Sequence, residues 1–314
     1  MASMLTVHMN QGQGETSYAR NSFVQNGEQK RMKPLIETAI LDLCPSTSTL
    51  LPTKMVIADL GCSSGPNAIA LVLIAVEAIH NHYHQFLQPP PEVSVLLNDL
   101  PDNDFNMVLK SLAPEGLTMN QIPAYDIDEH TRLERRPMVL QAYAQQFRKD
   151  FTRFLELRVK EMVPGGRMVV SLAGRDSDVI TPEFSPLWEF IAQILSIMVS
   201  KGVIDKAKFN SFYLPVYEPS NKELREIIQD EGSFSITEMQ VNNPFVGLDS
   251  ALVVPSRFAS VTKAIFEPII VHHFGEVMDE FVRTLERRWI LEGSLQVDLA
   301  KSPRPMLAVS LKKA

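Results

Sequence analysis

The chain has 314 residues, 45% of them apolar, with 30 Lys and Arg against 37 Asp and Glu and a formal charge of −7. This acidic balance, with no block of five or more basic residues, leaves no electrostatic footprint for a nucleic-acid backbone or an anionic membrane surface. The longest apolar run, Ala68 to Val76, stops at Glu77 after nine residues, far short of the ~20 that cross a bilayer. At about 150 residues per domain the length admits two domains or one large α/β domain with a cap. The start, Met1 to Asn21, is polar and lacks the apolar stretch of a secretory signal. Two cysteines, Cys44 and Cys62, cannot make a disulfide framework, and the expected compartment is the reducing cytosol.

Helical spacing runs from about Met32 to Leu43 and ends at Cys44-Pro45-Ser46. A first strand, Met55 to Leu60, breaks at Gly61-Cys62-Ser63-Ser64-Gly65-Pro66-Asn67, and a helix follows from Ala68 to about His82. Behind the stiff Pro89-Pro90-Pro91, Glu92 to Leu97 reads as a second strand ending in Asn98-Asp99-Leu100, and Phe105 to Leu112 as a short helix. Val139 to Met162 has helical spacing, Arg167 to Leu172 is a strand behind Pro164-Gly165-Gly166, and Pro186 to Lys201 is an apolar helix. Ser220 stands three residues before Glu223, the capping-box spacing, at the head of a helix to Glu231. Phe234 to Val241 is a strand and Ala259 to Arg288 mostly helix, while Gln296 to Leu299 with Pro305 to Leu311 predicts a closing antiparallel hairpin. Strands alternating with helices predict an α/β fold with a mainly parallel sheet covered on both faces. One stretch breaks the rhythm: Ala113 to Met138 is rich in charge, proline and glycine and has no run of four apolar side chains, where a doubly wound sheet needs a strand.

The chemistry concentrates after the first strand. Asp59, then Gly61 and Gly65 in a turn entering a helix, with Asp99 at the end of the second strand, is an arrangement suited to a nucleoside. The glycines let a ligand approach the backbone, and a strand-end carboxylate can accept from a ribose hydroxyl pair. Gly-Cys-Ser-Ser-Gly is not Gly-x-Gly-x-x-Gly, and Asp99 lies well beyond the ~20 residues of a dinucleotide fingerprint, so NAD is disfavoured. The same five residues also match Gly-x-Ser-x-Gly, with Ser63 as nucleophile and His272 or His273 as base of an esterase. Only one strand precedes this turn, which weakens that reading.

At this point the residues resemble the plant SABATH methyltransferases. The likeness lies in His8-Met9-Asn10 with Gly14 to Ser22, Ala58 to Asn67, Leu97 to Pro101 with Asn103-Asp104-Phe105-Asn106, Pro164 to Met168, Glu231-Gly232-Ser233-Phe234, and Glu267-Pro268 with His273-Phe274-Gly275-Glu276. The resemblance implies a Rossmann-like sheet with a helical cap and S-adenosylmethionine-dependent methylation of a small carboxylic acid, of benzoate or salicylate type, with indole-acetate, jasmonate and anthranilate as alternatives. It also implies a homodimer. By the same resemblance, residues 1–50 form a lid segment, 51–175 the cofactor-binding part, 176–295 the substrate cap and 296–314 the last strands of one domain.

Carried over residue by residue, Tyr18, Cys62, Asn67, Asp99 and Leu100 fall on cofactor positions, with Ser22, Asp59 and Gly61 beside them. Gln25 falls on a position that donates to the substrate carboxylate, and Trp188, Tyr217 and Ile265 on positions around its ring. No acid, base or nucleophile is expected, because a carboxylic acid with a pKa of roughly 4 is already ionised near neutral pH.

Two departures stand out. Relatives carry, after the Asn-Asp-Phe-Asn helix, a strand ending in Gly-Ser-Phe and another containing Ser-Ser-Tyr-Ser-Leu-His-Trp-Leu-Ser; here Lys110-Ser111-Leu112 runs directly into Ala113-Pro114-Glu115-Gly116. A deletion near 112–113 therefore predicts a sheet lacking one or two strands and an inactive or poorly folding chain, or a non-catalytic dimerising form. The Mg²⁺ site of some relatives also changes. Asn120 and Phe212 match ligand positions, but Asn210 replaces an Asp and Tyr213 an Asn. Loss of the carboxylate predicts weak binding of a hard cation.

Overall fold

A computed structural model describes residues 9–10, 15, 17–44, 52–62, 66–86, 88–99, 125, 127–175, 177–178, 186–244, 254–292 and 305–314. In chain order these form α1 (Tyr18–Asn21), α2 (Phe23–Leu43), β1 (Lys54–Leu60), α3 (Pro66–Gln85), β2 (Glu92–Asn98), α4 (Glu129–Glu161) and β3 (Arg167–Ala173). There follow α5 (Leu187–Ser200), α6 (Lys206–Asn210), α7 (Asn221–Glu231), β4 (Phe234–Asn242), α8 (Pro255–Phe274), α9 (Met278–Glu292) and β5 (Met306–Lys313). None of the described helices is long and apolar enough to cross a membrane.

The local signals act as their chemistry dictates. Ser220 accepts from the Glu223 amide while the Glu223 carboxylate accepts from the Ser220 amide, so the capping box forms, and Gly232 ends α7 at φ +81°. The long helical reading from Ala259 to Arg288 divides at Gly275, whose φ of +85° turns the chain between α8 and α9. The predicted short helix at 105–112 and the strand at 296–299 lie outside the described residues.

β5 runs against both its neighbours, β3 and β4, while β1 and β2 run in parallel. β1 and β2 pair in parallel from Lys54 opposite Glu92 to Leu60 opposite Asn98. The second sheet is antiparallel, in the order β3-β5-β4. β5 is thus not the outer arm of a closing hairpin but the middle strand, and its fully apolar face, Leu307, Val309 and Leu311, is buried. Among the described residues the two sheets are not hydrogen-bonded to each other.

Coverage is uneven. One apolar cluster joins Leu35, Ile36 and Ile40 of α2 and Ile79 and Tyr83 of α3 to Met55 and Ile57 of β1, Val93 of β2, Val169 of β3 and Ala308 of β5. Phe151 and Leu155 of α4 and Leu224, Ile227 and Ile228 of α7 cover the opposite face of the antiparallel sheet. Among the described residues no such cluster lies on the opposite face of β1 and β2, where Val56 is 69% and Leu96 57% exposed. A third cluster, built by α5, α8, α9 and Val139, Leu140 and Tyr143 of α4, forms the helical cap.

Gly174, just past β3, is fixed by close approach. A Cβ there would stand 2.5 Å from Leu307 Cγ and 2.9 Å from the Pro219 carbonyl oxygen. Gly174→Ala is therefore expected to cost about 1–3 kcal/mol, read as a lowered urea midpoint with an unchanged slope.

Candidate active site

The parallel pair brings the carboxyl ends of β1 and β2 together. The Gly61 and Cys62 amides both donate to the Asn98 carbonyl, at 2.8 and 3.1 Å, tying the first turn to the second strand end. Gly61 has φ +86° and open space where a Cβ would project, so a ligand can approach the backbone there. Asp59 and Asp99 share this corner, close enough for Asp99 to act electrostatically on Asp59.

Tyr18 of α1 is buried beside them. Its segment is pinned from two sides. The Tyr18 amide donates to the Asn10 carbonyl and the Asn10 amide to the Ala264 carbonyl of α8. The Asn10 side-chain amide donates to the Glu267 carboxylate, and Asn21 donates to the Ser17 and Glu15 carbonyls. Asn10 thus serves as a clasp onto α8. Ser22 is buried at the α1–α2 junction.

The field in this corner is negative. Burial, then the Asp99 charge, pushes the Tyr18 phenol up to about 12. Burial, with Asp99 and Asp59 adding to it, pushes the Cys62 thiol up to about 11. Burial followed by Asp99 also lifts the Asp59 carboxyl above its ordinary value. A group whose proton is held more tightly in the folded state contributes stability at low pH that is lost as pH rises from the unfolded value of 3.8 through the higher folded one. Asp59→Asn is accordingly expected to raise the melting temperature at pH 7 and leave it unchanged at pH 3, while lowering affinity for a cationic ligand.

The acid-binding candidates gather elsewhere. Trp188 is 4% exposed, and Tyr217 and Ile265 pack on the same cap cluster. Trp188 stacks on Tyr143 at 5.3 Å and 2°, and its indole N–H is buried with no acceptor. Gln25 of α2 likewise has a buried carbonyl oxygen with no donor. Tyr217 is less available: its hydroxyl meets Arg175 at 3.1 Å and Glu223 at 3.0 Å, and its ring packs on Phe147. Burial first pushes its phenol up to about 12.

Several expected residues cannot be placed. Leu100, Ser63 and Asn120 lie outside the described residues, as does the side chain of Asn67. Of the esterase pair, His273 directs its Nε2 at the Lys208 carbonyl, 2.9 Å away, with Ser211 Oγ at 3.4 Å. Phe212 is buried against the rings of His273 and Phe274. Among the described residues no three His, Cys, Asp or Glu side chains converge as a metal site.

Two buried charge clusters escaped sequence reasoning. Arg175, 4% exposed, pairs with Glu223 at 2.6 Å and donates to the Glu218 and Ser177 carbonyls. Arg136 pairs with Glu189 at 3.3 Å beside Trp188, where burial raises the Glu189 carboxyl despite Arg136. Each partner is distant in sequence, and the capping-box Glu223 was the sole visible hint.

A strand-end acidic corner with an open glycine turn, lined by a buried tyrosine and joined by α8 to an apolar cap, is the arrangement of an α/β protein suited to a nucleoside cofactor. The comparisons give the family. The sequence profile described as "SAM dependent carboxyl methyltransferase" matches residues 4–125 and 111–314. The chain is 30% identical over 382 residues to anthranilate O-methyltransferase 1 of Zea mays, covering 98% of this chain and 97% of that one. It is 33% identical over 324 residues to salicylate carboxymethyltransferase of Clarkia breweri, covering 88% and 90%. The solved structure of a loganic acid methyltransferase with SAH superposes with a TM-score of 0.79 at 26% identity, covering 98% of both chains. The chain belongs to the S-adenosylmethionine-dependent carboxyl methyltransferases, the plant SABATH family.

The comparisons also mark the deletion. An alignment of 382 positions to a chain of 314 residues leaves relatives with several tens of residues that have no counterpart here. The family profile matches in two pieces that meet at 111–125, where the sequence predicts the loss.

Proposed function

We propose that the site is built to methylate a small aromatic carboxylic acid of benzoate or salicylate type to its methyl ester. Tyr18, Ser22, Asp59, Gly61, Cys62, Asn67, Asp99 and Leu100 are assigned to the cofactor, and Gln25, Trp188, Tyr217 and Ile265 to the acid. The observation that carries the reading is the negative field at Asp59 and Asp99, which suits a cation carrying a ribose. S-adenosylmethionine supplies an electrophilic methyl group on a sulfonium when bound.

The remaining work falls to this chain's own side chains. An acid with a pKa of roughly 4 arrives ionised, so no side chain has to remove a proton. Gln25 and the Trp188 indole N–H, a donor lacking an acceptor, orient the acid, and the cap excludes water. Asn210 and Tyr213 leave the Mg²⁺ position without its carboxylate, and the reaction as assigned uses no metal.

The deletion sets the expected level of activity. Among the described residues β1 and β3 lie in separate sheets, and with the segment after Leu112 lost, transfer by this chain is expected to be at background. The test is methyl transfer from radiolabelled cofactor to benzoate, salicylate, anthranilate, indole-acetate and jasmonate, with a full-length relative as positive control. Ester formation above background with the aromatic acids supports the substrate class; robust turnover overturns the expected loss. The working unit is read as a cytosolic homodimer, and sedimentation of the purified chain checks its oligomeric state.

A further inference from the structure

We propose that Glu218 is a positioning residue for the acid: its buried carboxylate sets the start of α5, and with it Trp188, while its backbone shares the anchor of Tyr217. The inference rests on the assignment of Trp188 and Tyr217 to the acid and adds the residue that places them.

α5 begins without a cap of its own. Its N-cap is Pro186, which has no side-chain group to accept from the first amides. The acceptor comes from a residue 31 positions later: the Leu187 amide donates to the Glu218 carboxylate at 2.8 Å. The helix dipole favours a negative charge at that end, and Glu218 is only 4% exposed, so little solvent competes for the contact. A buried carboxylate is costly unless it is hydrogen-bonded. Here the bond falls one residue from the indole whose N–H is buried with no acceptor.

Glu218 is itself fixed. Its carbonyl accepts from Arg175 Nη1 at 2.7 Å, and the same nitrogen donates to the Tyr217 hydroxyl at 3.1 Å. The Arg175 amide donates to the Pro219 carbonyl at 3.0 Å, and Arg175 bridges Ser220, which ties this segment to the chain just past β3. The ring of Trp188 returns to the same loop by another route. It stacks on Tyr143, whose hydroxyl donates to the Leu214 carbonyl at 3.0 Å. Backbone and ring of Trp188 are thus both held by residues 214–218, the stretch that also carries Tyr217. Glu218 joins the two aromatic positions into one frame.

The test is fluorine NMR on the full chain labelled with fluorotryptophan, whose signals from Trp188 and Trp289 are assigned with Trp289→Phe. Glu218→Ala is expected to shift or broaden the Trp188 signal and leave that of Trp289 in place. It should also weaken salicylate binding, followed at Trp188, by about tenfold or more. Glu218→Gln keeps an acceptor oxygen at the same reach and is expected to restore the signal, and the affinity to within about threefold. A Trp188 signal unchanged by Glu218→Ala, equal movement of both tryptophans, or failure of Glu218→Gln to restore salicylate binding overturns the proposal. Where Glu218→Ala does not fold, Glu218→Asp replaces it: one methylene shorter, it should lose the Leu187 contact and bind salicylate more weakly than Glu218→Gln, and equal affinities overturn the proposal. Salicylate that leaves Trp188 of the unaltered chain unmoved overturns the assignment of the acid site itself, and the role of Glu218 with it.

Discussion

Splicing back between Leu112 and Ala113 the segment that relatives carry is expected to raise methyl-ester formation at least about a thousandfold and the melting temperature by about 5 °C or more. The activity gain follows from orientation. The acidic corner rides on β1 and β2 while the cap is built by α4, α5, α8 and α9, and among the described residues no ladder joins the two sheets. A joining strand fixes the transferring atoms relative to each other, where a displacement of an ångström is costly. The stability gain follows from the backbone hydrogen bonds of an added strand, at about 0.5–1.5 kcal/mol net each, against a loop-closure cost that grows only slowly with length. Thermal melts and single-turnover transfer with salicylate measure the two effects independently. A chimera that gains stability without activity would locate the defect in the acid-binding residues instead.

The second large effect is expected at Arg175. Its guanidinium is buried against Glu223 at 2.6 Å, the Tyr217 hydroxyl at 3.1 Å and the Glu218 carbonyl at 2.7 Å. Removing one member of a buried ion pair costs about 3–5 kcal/mol. Because the Glu223 side chain is 31% exposed and keeps its bond to the Ser220 amide, Arg175→Met is expected at the lower end, about 3 kcal/mol. Arg175→Lys should recover little, since a point ammonium cannot reach the carboxylate, the phenol and two carbonyls together. The urea midpoint measures the loss. Tyr217, freed from its anchor, should lose its fixed ring orientation, seen as a weakened near-ultraviolet dichroism.

What could be read from the residues divides by range. β1, β2, β3 and β4 came within a residue of their sequence boundaries because alternation and punctuation by Gly, Pro and Asp are local. The start of α4 at Glu129 was missed by ten residues, since its first turns are charged and carry Pro137. The place of β5 was missed for a different reason. Met306 to Lys313 pairs with strands some 70 and 140 residues earlier, and no local signal carries such a register. The acidic corner was legible in Asp59, Gly61 and Asp99. The clusters at Arg175 and Arg136 were not, because their partners lie on elements that only the tertiary fold brings near.

The clasp at Asn10 has a kinetic meaning. Asn10 holds Ala264 and Glu267, and the intervening Ile265 packs on the cap cluster assigned to the acid, while the Asn10 carbonyl holds Tyr18 over the acidic corner. A single turn of α8 therefore connects the acidic corner to the cap cluster. On the proposed assignment of the two sites, entry of either reactant or departure of the ester is expected to need this N-terminal segment to lift and reseat. In a repaired enzyme the expected consequence is an ordered cycle whose turnover is paced by unlatching, so that Glu267→Ala speeds product release while raising the KM for both reactants.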